Sequence, residues 1–128
     1  MESIVYLDTH VVVWLYIGEL SSFPSKIRRL LEEADIKISP IVQLELQYLW
    51  EIGRIKVKGE RIVHELAQTM GLKICDQDFN QVVLESVKQT WTRDPFDRFI
   101  VAQANLAHAS LISKDEFILK HYSKAVWL

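Results

Sequence analysis

A chain of 128 residues, 49% hydrophobic and 25% charged, is one domain's worth of sequence and long enough to bury a core without staples. The apolar fraction excludes disorder, and 15 Lys and Arg against 17 Asp and Glu argue against a strongly basic nucleic-acid binder. A membrane span is excluded as well: the longest unbroken apolar run, Val11 to Ile17, has seven residues, whereas a spanning helix needs about 20.

The amino terminus lacks a basic region followed by a long apolar stretch, and Cys75 is the one cysteine, too few for an internal disulfide or a thiolate metal site. These features predict a cytoplasmic protein with a single domain over residues 1–128. In chain order, Ile4 to Leu7 is a continuous apolar run that predicts a strand buried on both faces. Val11 to Ile17 predicts a helix stopped near Gly18, and Ile27, Leu30 and Leu31 give helical spacing within Ser22 to Ala34. Lys37 to Ser39 fits a second short strand. Ser39-Pro40 starts a helix, with a capping serine, proline at the first helical position and Gln43 near the capping-box position. That helix runs to about Ile52, with Gly53 beyond its end. Lys58 to Met70 predicts a helix stopped by Gly71, Leu72 to Cys75 a short strand, and Asn80 to Lys88 a helix. Asp94-Pro95 opens a helix reaching about His108, Ser110 to Ser113 is strand-like, and Ala125 to Leu128 reads as a last short strand. Short apolar strands alternating with helical patterns indicate an α/β fold, a three-layer sandwich with a central, mostly parallel sheet flanked by helices.

Four acids stand in places where chemistry or capping can use them. Asp8 directly follows an apolar strand, where open α/β sheets bind ligands, and it is equally suited to capping the next helix. Glu45 lies inside the Pro40 to Ile52 helix with Ile41, Val42, Tyr48 and Leu49 three and four positions away, while Gln43, Gln47, Glu51 and Arg54 form the opposite, polar stripe. A carboxylate on an apolar face needs a cation, a basic side chain such as a core arginine, or a proton. Asp94 and Asp97 share one helix start, where the helix dipole favours negative charge, so Asp94 has a sufficient capping explanation; Asp97 can instead point toward a shared site. Asp115 follows Leu111-Ile112 as Asp8 follows its strand, and Ser113 to Glu116 also has capping-box spacing. A ring of carboxylates repels itself, and Mg²⁺ or Mn²⁺, which prefer oxygen ligands, relieves that repulsion and supports phosphodiester cleavage. The chain has no Gly-rich phosphate loop, no nucleophile elbow and no zinc-type spacing; His10, His64, His108 and His121 are scattered and read as surface or core.

These blocks resemble the PIN-domain family, and within it the VapC-type toxins of toxin–antitoxin pairs. Leu7-Asp8-Thr9-His10 with Trp14-Leu15 is similar to the family's opening strand and first acid, and Ser39-Pro40 through Glu45 with Trp50-Glu51-Ile52 to its second block. Asp94-Pro95-Phe96-Asp97-Arg98 running into Ala102-Gln103-Ala104 resembles the third, and Leu111 to Asp115 the fourth, with Ser113 where the family usually has threonine. The resemblance implies a catalytic and metal-binding quartet of Asp8, Glu45, Asp97 and Asp115, with Asp94 as an accessory acid. It also implies Mg²⁺-dependent endoribonuclease activity with Mn²⁺ as a substitute, a homodimer and a cognate antitoxin. In that setting Thr9 and Ser113 place a ligand or water, and Arg93, Arg98 and Lys114, flanking the acids, hold RNA phosphates or remain solvated surface charge. The apolar run Val11 to Tyr16 is either an antitoxin groove or ordinary core. Two rivals stand beside this assignment. One is a catalytically silent module that binds a partner protein or RNA. The other is an aspartyl phosphatase at Asp8, which wants a second Asp two positions on, where this chain has His10.

Overall fold

The computed structural model describes residues 3–128. Strand β1 (Ile4–Leu7) runs through the middle of a five-stranded sheet and carries Val5, Tyr6 and Leu7 fully into the core. It leads into helix α1 (Thr9–Tyr16), whose Val11, Val12 and Leu15 are buried in the core, with Val13, Trp14 and Tyr16 partly buried. A 3₁₀ turn over Leu20–Ser22 precedes α2 (Ser25–Glu33), which starts later than periodicity suggests because Pro24 takes the N-cap position. Strand β2 (Asp35–Ile38) then pairs with β1, with Ser39 as the N-cap of α3 (Pro40–Glu51) rather than part of the strand.

Helix α4 (Gly59–Met70) packs closely on α3 at Gly59, where an added Cβ would come within 2.5 Å of the Leu46 Cβ. Gly71 ends it in the left-handed conformation, φ +71°, as a helix-stopping glycine should. The chain continues through β3 (Lys73–Ile74), α5 (Phe79–Val87), α6 (Pro95–Leu106) and β4 (Ser110–Ile112). Helix α7 (Glu116–His121), which the sequence pattern did not predict, leads to β5 (Ala125–Val126).

All four strand pairings are parallel, in the order β3-β2-β1-β4-β5, with seven helices flanking the sheet among the described residues. The α/β expectation holds, with a sheet fully rather than mostly parallel. The order has a consequence for function. From β1 the chain builds outward through β2 and β3 on one side, then returns to place β4 and β5 on the other. The connections diverge between β1 and β4, and such switch points open a crevice at the carboxyl ends of the strands. Leu7 pairs with Ile112, and the Asp8 amide donates to the Ile112 carbonyl at 3.0 Å, so the residues after both strands emerge side by side.

Candidate active site

Asp8 is the first residue beyond β1 and only 7% exposed. Its Oδ1 accepts from the Thr9 amide at 2.8 Å, and its Oδ2 accepts from the Ser113 hydroxyl at 2.7 Å. Ser113, fully buried just past β4, also accepts from the Asp115 amide at 3.1 Å, so one hydroxyl ties the ends of β1 and β4 together. The hydroxyl of Thr9, itself fully buried, donates to Glu45 Oε1. Thr9 and Ser113 are thus the side chains that orient two of the acids.

Each remaining acid is fixed by its own element. Asp115 caps α7, its Oδ1 accepting from Phe117 and Ile118 at 2.8 and 3.1 Å. Asp94 caps α6 by accepting from Phe96 at 2.8 Å, and Asp97 lies in the first turn of the same helix. Glu45, half-buried on α3, has the Thr9 hydroxyl as its partner and no basic residue: the ion pairs among the described residues are Arg61–Glu65 and Lys88–Glu85. The core-arginine explanation for Glu45 therefore falls away.

Asp8, Glu45, Asp94, Asp97 and Asp115 all line one cleft of about 350 Å³, which His10, Val11, Trp14 and Lys114 complete. Four separate chain segments deliver these acids to the crevice between β1 and β4. Their electrostatics register the crowding. Asp97 is pushed up to about 8, first by burial and then by the charges of Asp94, Asp8, Asp115 and Glu45. Burial also raises Asp8, against the opposing hydrogen bonds from Ser113 and Thr9. Glu45 is raised chiefly by burial, with Asp8 and Asp94 adding to it and the Thr9 hydroxyl opposing.

Among the described residues, no three His, Cys, Asp or Glu side chains stand ready-made as a metal cage. The donor set nonetheless fits a hard divalent cation: it is all oxygen and anionic, and Mg²⁺ needs only one or two direct carboxylates because it keeps several waters.

The flanking cations divide. Lys114 lines the cleft, its Nζ near the Trp14 and Trp127 rings. Arg93 donates from Nη1 to the Thr90 carbonyl, and Arg98 from Nε to the Thr92 carbonyl, each at 2.9 Å; both brace the loop before α6 and neither lines the cleft. Sequence reasoning missed His10 and Trp14 as cleft residues. The signal was their four-residue spacing on one helix face directly after Asp8.

Against known proteins, the model of the PIN domain matches residues 5–124. No curated protein matches significantly. The fold is similar to that of VapBC2 from Rickettsia felis bound to a DNA fragment from its promoter, at a TM-score of 0.66 and 20% identity, covering 96% of each chain. It is also similar to VapBC-1 from nontypeable Haemophilus influenzae (0.65, 17%, 98% of this chain and 96% of that one). A toxin–antitoxin complex from Klebsiella pneumoniae gives a TM-score of 0.63 at 18% identity over 95% of each chain.

Proposed function

The chain belongs to the PIN domain family, and on that footing we propose that it is a Mg²⁺-dependent endoribonuclease, the toxin of a toxin–antitoxin pair. The observation that carries this reading is the convergence of acids from four chain segments on one cleft at the switch point of the sheet. Asp8, Glu45, Asp97 and Asp115 would hold Mg²⁺, or Mn²⁺ in its place, directly or through water, with Asp94 adding negative charge at the rim. Bound there, the cation supplies Lewis-acid stabilisation of the charge that develops in phosphodiester cleavage.

The protein's own groups do the rest. The Ser113 and Thr9 hydroxyls hold Asp8 and Glu45 in fixed rotamers, so the acids do not collapse onto other donors. Asp97 keeps its proton near neutral pH while the cup holds no cation and gives it up when positive charge arrives. Lys114, on the same cleft, is the cation suited to an RNA phosphate. Likeness of fold to proteins named as VapBC and toxin–antitoxin complexes supports a cognate antitoxin as partner. A homodimer in the cytoplasm belongs to the same reading, and no helix of the described residues is long and apolar enough to cross a membrane.

The test is RNA cleavage with Mg²⁺ by the Asp8→Asn and Asp97→Asn proteins. Loss of one charge-stabilising group should lower the rate by about 10²-fold or more. Full activity in either variant, or in excess chelator, rejects the assignment. Calorimetry that detects no Mn²⁺ binding at millimolar concentration favours the catalytically silent module instead.

A further inference from the structure

The cleft that gathers the acids has a second wall of different chemistry. Trp14 is half-buried and lines it with part of its indole. Its ring is held edge-on by Trp127 at 5.8 Å and 63° and by Phe23 at 6.4 Å and 84°, with Phe23 and Trp127 packed together at 5.3 Å. Such a backed indole is rigid, so it loses little entropy when something stacks on it. Lys114 adds a cation. Its Nζ lies 6.0 Å from the Trp14 centroid and 5.9 Å from that of Trp127, and it forms none of the ion pairs found among the described residues, although it shares the cleft with five carboxylates. Charge in the cleft is thus segregated into an anionic cup and an aromatic wall carrying an ammonium.

A divalent ion accounts for the cup and leaves the wall unexplained. The ligand complementary to the wall carries a flat π-face and an anion a few ångströms apart, which describes a nucleotide. We propose that Trp14 stacks a nucleobase and Lys114 takes a phosphate, forming a subsite that positions the strand against the acids. The assignment rests on the nuclease reading and names the residues that seat its substrate. A volume of about 350 Å³ lies at the small end of the ~300–1,000 Å³ typical of ligand sites. One splayed nucleotide fits such a space. A duplex, whose bases are stacked on each other, must first unstack to reach Trp14.

The experiment measures binding of a labelled single-stranded hexaribonucleotide, and of a hairpin duplex, in chelator at low salt and in the Asp97→Asn background, so that no cleavage intervenes. Trp14→Leu keeps an apolar filler against Phe23 and Trp127 but removes the π-face, and should weaken single-strand binding about 10- to 100-fold. Trp14→Phe should retain most of the affinity. Lys114→Gln should weaken binding and flatten its dependence on log salt by about one. Saturating RNA should quench tryptophan fluorescence in the Trp14 protein, and the quench should vanish in Trp14→Phe. Affinity within about twofold of the parent in a folded Trp14→Leu protein overturns the subsite. So does absence of quenching with Trp14 in place, a result that stands even if Trp14→Leu fails to fold. Binding is read without catalysis, so failure of this subsite and failure of the nuclease assignment, seen as full activity in Asp97→Asn, are separate results.

Discussion

Replacing Asp97 by Asn should stabilise the metal-free protein while removing the proposed nuclease activity. Asp97 sits in the first turn of α6, half-buried and facing four other carboxyl groups, and its folded pKa is about 8 against 3.8 for the free side chain. The folded protein therefore retains a proton that the unfolded chain releases, so between about pH 4 and pH 8 raising the pH costs stability. Taken whole, about four units at 1.36 kcal/mol each would amount to roughly 5–6 kcal/mol. Water reaches this half-buried group and softens both the burial penalty and the repulsion, leaving about 1–2 kcal/mol. The opposing effect is smaller: a charge in the first helical turn gains about 0.3–1 kcal/mol, and Asp97 forgoes most of that gain while it is protonated. Asparagine cannot ionise and escapes the cost. Thermal melts in EDTA should place Asp97→Asn about 4–7 °C above the parent at pH 8. The advantage should shrink toward pH 5 and level off above pH 8. Millimolar Mg²⁺ should raise the parent more than the variant and narrow the gap. A variant that melts below the parent at pH 8, or a difference that does not change with pH, would refute the idea that burial and the neighbouring acids hold Asp97 protonated at a cost to stability.

Calorimetry of Mn²⁺ binding in two buffers of different ionisation enthalpy should detect proton release, and the apparent affinity should rise from pH 6 to pH 8 as Asp97 becomes easier to deprotonate. Pairing Ser113→Ala with a urea melt should reveal a loss of about 1–3 kcal/mol, because Asp8 Oδ2 and the Asp115 amide both lose their partner. Gly59→Ala should cost about 1–3 kcal/mol by the same measurement, since the new Cβ meets the Leu46 Cβ, which is fixed to the α3 backbone, and must push the two helices apart; an unchanged midpoint would mean that α3 and α4 can part freely.

Much of this molecule is legible in its sequence because local rules and tertiary needs agree. Ser39-Pro40 and Asp94-Pro95 start helices where capping and the fixed φ of proline say they should, and Gly71 stops one. The apolar quartet Ile4–Leu7 predicts a central strand, and it is one. Glu45 stands out because a carboxylate among Val42, Leu46 and Leu49 has no cheap local explanation. Helix α7 escaped because six residues make fewer than two turns, too little for a period to emerge, and Phe117 on it is 66% exposed. Arg98 stands off the cleft for a geometric reason. Adjacent residues on a helix point about 100° apart, so a cation next to Asp97 in sequence faces the loop and not the cleft. His10 reads as surface or core and Trp14 as part of an apolar helix, and only the fold reveals that this helix starts at the rim of the cup.

The two explanations that the sequence set against each other, helix cap and functional acid, are compatible, because the acids that cap helices also line the cleft. Asp8 caps α1, Asp94 caps α6 and Asp115 caps α7, while Asp97 occupies the first turn of α6. The amino termini of three helices therefore aim their partial positive charge at the cleft. Each such terminus stabilises a nearby carboxylate by about 0.3–1 kcal/mol, and the capping bonds add to that. This gives a protein without bound cation a way to tolerate five acids in one space. It also explains which acid bears the residual strain. Asp8, Asp94 and Asp115 each accept backbone N–H bonds, and Glu45 accepts the Thr9 hydroxyl. Asp97 accepts none of the side-chain hydrogen bonds found among the described residues, and it is the group whose pKa is driven to about 8. A cation entering the cup would find one carboxyl without competing donors and the others already pinned in place, so the ion would reorganise mainly Asp97. Capping thus lets the fold assemble the cup before any cation arrives.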